Sequence, residues 1–113
     1  MASEPNTGDT QILLPSQITR NAVIHVRAVV THPMFTGLGR DEEGKVIPPY
    51  FIDDVVVEYG GSEVAHFEWT SGISRDPYVA FPIRATQEGP LTITWKDNKG
   101  GVYRQTTNVK FTA

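Results

Sequence analysis

Three histidines are the side chains most suited to chemistry, and their spacing argues against a shared site. His25, His32 and His66 lie on separate segments, without the i, i+4 or similar spacing that metal ligands use. They are therefore predicted to be isolated histidines at or near the surface. His32 and Met34 suggest a soft-metal pair, but copper sites usually assemble more ligands than these two. No metal site and no cofactor are predicted.

Two acidic runs, Asp41–Glu43 and Asp53–Asp54, are the other candidates for acid–base work. The first run lies beside Gly44, where solvated acids in a turn are ordinary, and neighbouring residues on a strand point to opposite faces. The chain has no cysteine, and its serines lack the glycine context of a nucleophile elbow. An enzymatic hypothesis would place His32, Asp53 or Asp54 in a small cleft. The sequence shows no nucleophile and no oriented base to support it, so no catalytic residue is predicted.

Size and charge narrow the function classes further. A chain of 113 residues has the usual length of one domain, predicted here over residues 11–113 after a disordered tail of residues 1–10. Its net charge is −3 and its ten basic residues are scattered, which argues against nucleic-acid binding. Apolar runs of three or four residues are too short to cross a membrane, and the N-terminus has no signal-peptide pattern.

The elements that must position any site are short strands. Residues 22–31 and 78–85 alternate in polarity, and Pro82 predicts an edge strand or a broken one because proline cannot donate a ladder hydrogen bond. These two segments are predicted to point the following side chains inward: Ala22, Ile24, Val26, Ala28, Val30, Val79, Phe81, Ile83 and Ala85. Residues 91–95 and 102–111 predict a closing hairpin.

The segment 50–59 is ambiguous. Phe51, Val55, Val57 and Tyr59 share one face with Asp53, whereas Ile52 lies on the other. Gly60-Gly61 then predicts a tight turn into a returning strand. About seven such strands predict an all-β fold, an immunoglobulin-like or fibronectin III-like antiparallel β-sandwich.

One long connection, residues 31–49, interrupts the strand rhythm. Connections of this length are uncommon in compact domains and are often functional. This segment and its flanks contain the motifs Val30-Thr-His-Pro-Met34, Thr36-Gly37, Arg40-Asp-Glu-Glu-Gly-Lys-Val-Ile-Pro48 and Tyr50-Phe-Ile52. These motifs resemble the SoxZ family. Two further stretches are similar to the SoxZ family, Gly72-Ile-Ser-Arg-Asp-Pro-Tyr78 and Trp95-Lys-Asp-Asn-Lys-Gly100. The resemblance therefore spans about residues 10–113. Phe35 departs from the pattern, which has a polar or acidic residue there.

The resemblance implies a non-catalytic scaffold subunit of the SoxYZ sulfur carrier of thiosulfate oxidation. Its partner would be a SoxY-like protein, bound as a heterodimer, whose cysteine carries the sulfur; contacts with other Sox enzymes would be transient. It also implies a periplasmic location reached by co-export with SoxY. An alternative is a related SoxYZ-like module that serves another sulfur-compound or dehydrogenase pathway.

The partner surface is expected on an apolar sheet face and on the long connection. Arg and Met are enriched in interface cores, although Met34 and Phe35 would alternatively plug the end of the sandwich. Without the partner, an uncovered edge of the last hairpin would allow homodimers. The candidate interface residues are His32, Pro33, Met34, Thr36, Gly37, Arg40, Ile47, Pro48, Tyr50, Phe51 and Ile52.

Overall fold

The computed structural model describes residues 7–112, which form two antiparallel sheets. The strands are β1 (Thr10–Leu13), β2 (Val23–Val30), β3 (Ile52–Tyr59), β4 (Ser62–Glu68), β5 (Tyr78–Arg84), β6 (Gly89–Asp97) and β7 (Val102–Val109). One sheet has the order β1-β2-β5 and the other β4-β3-β6-β7. The predicted all-β sandwich of seven strands is confirmed. No helix long and apolar enough to cross a membrane occurs between residues 7 and 112.

The first strand begins one residue before the predicted domain boundary at residue 11. The Gly8 N–H donates to the Thr31 carbonyl, and the Thr31 N–H donates to the Asp9 carbonyl, at 2.7 and 2.8 Å. Thr10 is the first residue of β1 and lies opposite Val30. The boundary at residue 11 is therefore too late for residues 8–10, while residues 1–6 of the predicted tail lie outside the described residues.

The inner faces of the two sheets form the core by alternation. In β2, Ile24, Val26, Ala28 and Val30 are buried, as predicted. In β5, Phe81 and Ile83 are buried and Val79 is partly buried. Among the strands of residues 7–112, β5 pairs only with β2, so the prediction that Pro82 marks an edge strand is confirmed.

A register irregularity resolves the ambiguous strand. The pairing of β3 with β6 shifts between Ile52 and Asp54, so Ile52 and Val55 both turn into the core. The sequence left the inward face open; in the structure Val55, Val57 and Tyr59 are buried, whereas Phe51 is only partly buried. Strict alternation fails here because the bulge adds one residue.

Both predicted hairpins are present. Gly60 and Gly61 have φ of 61° and 87°, the left-handed conformation that a two-residue turn from β3 into β4 requires. β6 and β7 pair from Gly89 opposite Val109 to Lys96 opposite Val102. Their inner face buries Leu91, Ile93 and Trp95 completely.

A core truncation tests this packing. We expect Val57→Ala to lower the free energy of unfolding by about 1–3 kcal/mol, because two buried methyl groups and their contacts are lost. Val64, on the edge strand β4, is 46% exposed, so Val64→Ala is the matched control, with a loss of roughly 0.5 kcal/mol or less. Urea unfolding monitored by circular dichroism measures both values. Equal losses in the two variants would contradict the assigned core.

Candidate partner interface

The long connection forms a projecting ribbon, residues 34–51, which we call the arm. At its base, Phe35 and Tyr50 exchange both backbone hydrogen bonds, at 2.7 and 3.0 Å. Farther out, Arg40 and Val46 form a second bridge, and the Ile47 N–H donates to the Gly39 carbonyl at 2.9 Å. The segment that the sequence marks as a structureless connection is therefore hydrogen-bonded to itself.

The tip of the arm is a turn organised by one carboxylate. Asp41 Oδ1 accepts the backbone N–H groups of Glu43 and Lys45 at 2.9 and 3.0 Å. The Arg40 side chain donates to the Gly44 carbonyl at 2.9 Å. All five residues from Asp41 to Lys45 are exposed, which confirms that this acidic run is a solvated turn.

Apolar side chains lie exposed along the arm. Leu38 is 87% exposed and Val46 51%, while Phe35 is about one-third exposed and Ile47 is partly buried. Of the predicted interface residues, Thr36, Arg40 and Pro48 are exposed, and Gly37, Ile47, Tyr50 and Phe51 are partly buried. Leu38 and Val46 were not predicted, although their apolar character among polar neighbours was a usable signal.

Four predicted interface residues lie inside the protein. His32, Pro33, Met34 and Ile52 are buried, and the backbone N–H of Ile52 contacts the Met34 sulfur at 3.3 Å. Met34 therefore plugs the end of the sandwich, as in the alternative interpretation, whereas Phe35 does not. The prediction that His32 lies near the surface is wrong, because its exposed fraction is 0%.

His32 and Asp97 are buried and form a polar cluster with the partly buried Tyr50 and Tyr103, which we call the Asp97 cluster. Asp97 Oδ2 lies 3.3 Å from His32 Nε2 and 2.5 Å from the Tyr103 hydroxyl. Asp97 Oδ1 accepts the backbone N–H groups of Lys99 and Gly101 at 3.0 and 2.7 Å. The sequence indicates no site at Asp97 or Tyr103, which it places only in a turn and a strand.

The hydrogen bonds determine where the protons are. The Met34 backbone N–H donates to His32 Nδ1 at 3.1 Å, so Nδ1 is unprotonated and the neutral ring carries its proton on Nε2. That proton points at Asp97 Oδ2. Tyr103 donates its hydroxyl proton to Asp97, so in the 3.2 Å contact between the two phenols Tyr50 is the donor.

The Asp97 cluster joins the arm to the β6–β7 turn and to the segment before β5. The His32 ring packs against the Tyr50 ring with centroids 4.3 Å apart, and Lys99 Nζ lies 4.6 Å from the Tyr50 centroid. The His32 backbone bonds Asp76 twice, donating to its carboxylate and accepting from its N–H. The base of the arm is thus held by two separate parts of the chain.

Asn98 adds a second attachment beside the cluster. Its side-chain oxygen accepts the Phe51 N–H at 2.8 Å, and its side-chain amide donates to the Pro49 carbonyl at 3.0 Å. Its backbone N–H also donates to the Phe51 carbonyl at 3.0 Å. The β6–β7 turn therefore fixes the returning limb of the arm.

Burial and bonding shift the pKa values of the cluster. Desolvation lowers the pKa of His32 and prevails over the hydrogen bond and charge of Asp97 and the charge of Asp76. For Asp97, desolvation acts upward, but the hydrogen bonds from Tyr103, Gly101, His32 and Lys99 together lower its pKa. Desolvation and the Asp97 hydrogen bond raise the pKa of Tyr103 far above its usual range. The cluster is therefore a neutral imidazole, a carboxylate and a neutral phenol.

The remaining histidines and acids form no cluster of this kind in the described part of the chain. His66 Nε2 contacts Asp54 Oδ1 across β3 and β4, and this hydrogen bond raises the pKa of the largely exposed imidazole. His25 is exposed on β2. Within residues 7–112 no group of three or more His, Asp or Glu side chains is placed to hold a metal ion.

Comparison with known proteins identifies the family. The model of the family "Sulphur oxidation protein SoxZ" matches residues 12–108. The chain belongs to the SoxZ family. No curated protein matches the sequence. The SoxZ motifs seen in the sequence thus belong to a match that includes the whole arm.

Solved structures share the sandwich at low identity. A superoxide reductase from Ignicoccus hospitalis aligns with a TM-score of 0.70 at 16% identity, covering 96% of this chain and 83% of the other. A putative superoxide reductase from Thermotoga maritima gives 0.70 at 13%, covering 97% and 90%. The sulfur carrier protein SoxY from Chlorobium limicola f thiosulfatophilum gives 0.61 at 19%, covering 92% and 79%. These likenesses show that the SoxZ-family chain shares its fold with all three.

A glycine substitution tests the tightness of the Asp97 cluster. A Cβ on Gly101 would lie 2.5 Å from Asp97 Oδ2 and 2.6 Å from the Tyr103 hydroxyl, so Gly101→Ala must displace both groups. We expect a loss of about 1–3 kcal/mol in the free energy of unfolding. Gly89→Ala is the control, since its added methyl group would meet no atom within 4 Å. Urea unfolding measures the free energy of unfolding of both variants. If Gly101→Ala lost no more stability than Gly89→Ala, the close packing of Gly101 against Asp97 and Tyr103 would be contradicted.

The proton positions predict a pH dependence of stability. Because the pKa of folded His32 is below the ordinary value of 6.5, the unfolded chain binds more protons as pH falls below 6.5. Stability should then decrease toward acid, by at most about 1.4 kcal/mol per pH unit from this group. His66, with its raised pKa, contributes stability that is complete below 6.5 and is lost at higher pH, so it does not mask the slope.

Urea unfolding between pH 6.5 and about 5 measures this slope. His32→Gln should flatten it relative to the wild type, whereas His25→Gln, at an exposed position of β2, should retain it. A wild-type slope unchanged by His32→Gln would show that another group causes the dependence.

Proposed function

We propose that this SoxZ-family chain is the non-catalytic scaffold subunit of a heterodimeric sulfur carrier and binds a SoxY-like subunit. The partner's cysteine would carry the covalent sulfur intermediates of thiosulfate oxidation. The family match over residues 12–108 is the observation that carries the proposal. The composition supports it, because a chain without cysteine has no thiolate to hold such an intermediate and needs a partner that does.

The organisation of the buried groups supports a scaffold role. His32 uses Nδ1 for the Met34 N–H and Nε2 for Asp97, so neither ring nitrogen is free for a substrate. Both carboxylate oxygens of Asp97 are likewise occupied. These side chains stabilise the base of the arm, which favours a structural purpose for the one buried His–Asp–Tyr combination in residues 7–112.

The exposed end of the arm supports binding. Leu38 and Val46 place apolar surface in water on a ribbon whose base is fixed by hydrogen bonds. Exposed apolar side chains on a preorganised element favour association, since little conformational freedom remains to be lost on docking. We propose that the arm contacts the SoxY-like subunit and that Arg40 braces its tip and contributes to the contact. Other Sox enzymes would meet the assembled pair transiently.

We further propose that the chain reaches the periplasm bound to its partner. The subunit would be exported folded, together with a SoxY-like chain that carries the export signal. Fractionation of cells with and without that signal, with immunodetection of this chain, would distinguish co-export from independent location.

Co-expression with a SoxY-like protein, followed by size-exclusion chromatography with mass detection, tests the proposal. We expect a stable one-to-one complex. Leu38→Asp should weaken the dissociation constant by roughly tenfold or more without lowering stability, because the side chain is exposed and would contact the partner. Val64→Asp, an equivalent change on β4, is the control.

Wild-type proteins that elute as separate monomers would refute the binding role. A complex that forms normally with Leu38→Asp would leave the subunit role in place and remove the arm from the interface.

A further inference from the structure

The outward side of the β1-β2-β5 sheet, which we call the three-stranded face, carries apolar side chains in water. Tyr78 is 56% exposed and Val23 52%, and Leu13 is about one-third exposed. Ala80 and Pro82 are exposed beside them on β5. The strand register places Tyr78 opposite Val29 and Ala80 opposite Arg27, so these groups form one surface.

The charges of the two sheets are segregated. The strands β1, β2 and β5 contain Arg27 and Arg84 and no acidic residue, a formal charge of +2. The strands β3, β4, β6 and β7 contain six acidic and two basic residues, a formal charge of −4. In a chain of net charge −3, the three-stranded face is thus a local basic surface around an apolar centre.

Several polar groups on the outward side of the other sheet are paired with each other. Thr92 and Thr106 bond across β6 and β7 at 2.9 Å, and Arg104 donates to Thr94 at 3.2 Å. Asp54 contacts His66. A face of paired polar groups loses hydration on docking without gaining new partners, so it is the weaker candidate for an interface.

The three-stranded face is continuous with the arm. β2 ends at Val30, two residues before His32, and β5 begins at Tyr78, two residues after Asp76. Asp76 bonds the His32 backbone through its carboxylate and its N–H. The exposed Tyr78 end of the face therefore adjoins the base of the arm.

The size of the face indicates that it does not act alone. The three strands have 4, 8 and 7 residues. At about 3.3 Å per residue and about 4.8 Å between strands, they cover roughly 300 Å² in projection. A stable interface of standard size buries about 800 Å² on each partner. The face and the arm together approach the required area better than either does separately.

A groove at the opposite end of the face offers an anchor point. It encloses about 480 Å³ and is lined by Pro15, Thr19, Val23, His25 and Arg27, among others. An apolar wall next to a guanidinium suits an aliphatic or aromatic side chain with a carboxylate nearby.

We infer that the three-stranded face is the docking surface for the SoxY-like subunit, which would present apolar side chains bordered by carboxylates to Val23, Tyr78, Arg27 and Arg84. The inference rests on the proposed function and specifies where the partner binds. A second copy of this chain is a poorer occupant, because pairing two such faces would bring four arginines and no carboxylate of these strands into one interface.

Charge reversal tests the inference on the purified, folded chain. The double variant Arg27→Glu, Arg84→Glu should weaken binding of the SoxY-like subunit by roughly tenfold or more and abolish or invert its dependence on ionic strength. Lys96→Glu, an exposed charge reversal on the other sheet, is the matched control and should change binding by less than about twofold. Tyr78→Ala tests the apolar part and should also weaken binding. Isothermal titration calorimetry at two salt concentrations measures the wild type and all three variants, after circular dichroism has verified their folding.

The outcomes separate the two proposals. A wild-type complex that the double variant and Tyr78→Ala leave unchanged overturns the docking surface alone. Absence of any wild-type complex overturns the proposed function and this inference together. If the free chain is a dimer that the double variant dissociates, the face serves a second copy and the inference is wrong.

Discussion

The constraint on which the structure depends is the burial of one carboxylate. A buried charge is costly unless hydrogen bonds replace its hydration, and Asp97 meets this requirement with four donors. Two are backbone N–H groups of its own turn, one is the Tyr103 hydroxyl, and one is His32 Nε2. Removal of any donor leaves one carboxylate oxygen with a single hydrogen bond, so the positions of the turn, of β7 and of the arm base are coupled.

This coupling explains how a ribbon with an exposed tip has a fixed base. His32 is bonded to Asp97, and the Met34 N–H is bonded to His32, so the chain direction at the start of the arm follows from the carboxylate. Met34 adopts a φ of 53°, which an unbranched residue tolerates when surrounding contacts enforce it. Strain at the exit from β2 is thus offset by the buried hydrogen bonds of the same segment.

The sequence was sufficient to predict those strands and turns whose signal comes from neighbouring residues. Alternation located β2 and β5, and paired glycines located the β3–β4 turn, because both signals depend on neighbouring residues. The bulge at Asp53 could not be predicted from the sequence, because a one-residue register shift depends on how β3 pairs with the distant strand β6. His32 was misplaced for a similar reason: its partner Asp97 is 65 residues away, and an isolated histidine gives no sign of a distant carboxylate.

The same sandwich occurs in superoxide reductases and in a sulfur carrier protein, so the fold alone leaves the activity undecided. What distinguishes this chain must therefore lie in side chains outside the common core. Leu38 and Val46 lie beyond the bridged base of the arm, and Arg27 and Arg84 point away from the buried side of their sheet. Substitutions at such positions change the surface at little cost in stability, because they contribute little to the core. With this division, the exposed side chains can change while the carboxylate-centred base maintains the geometry of the arm.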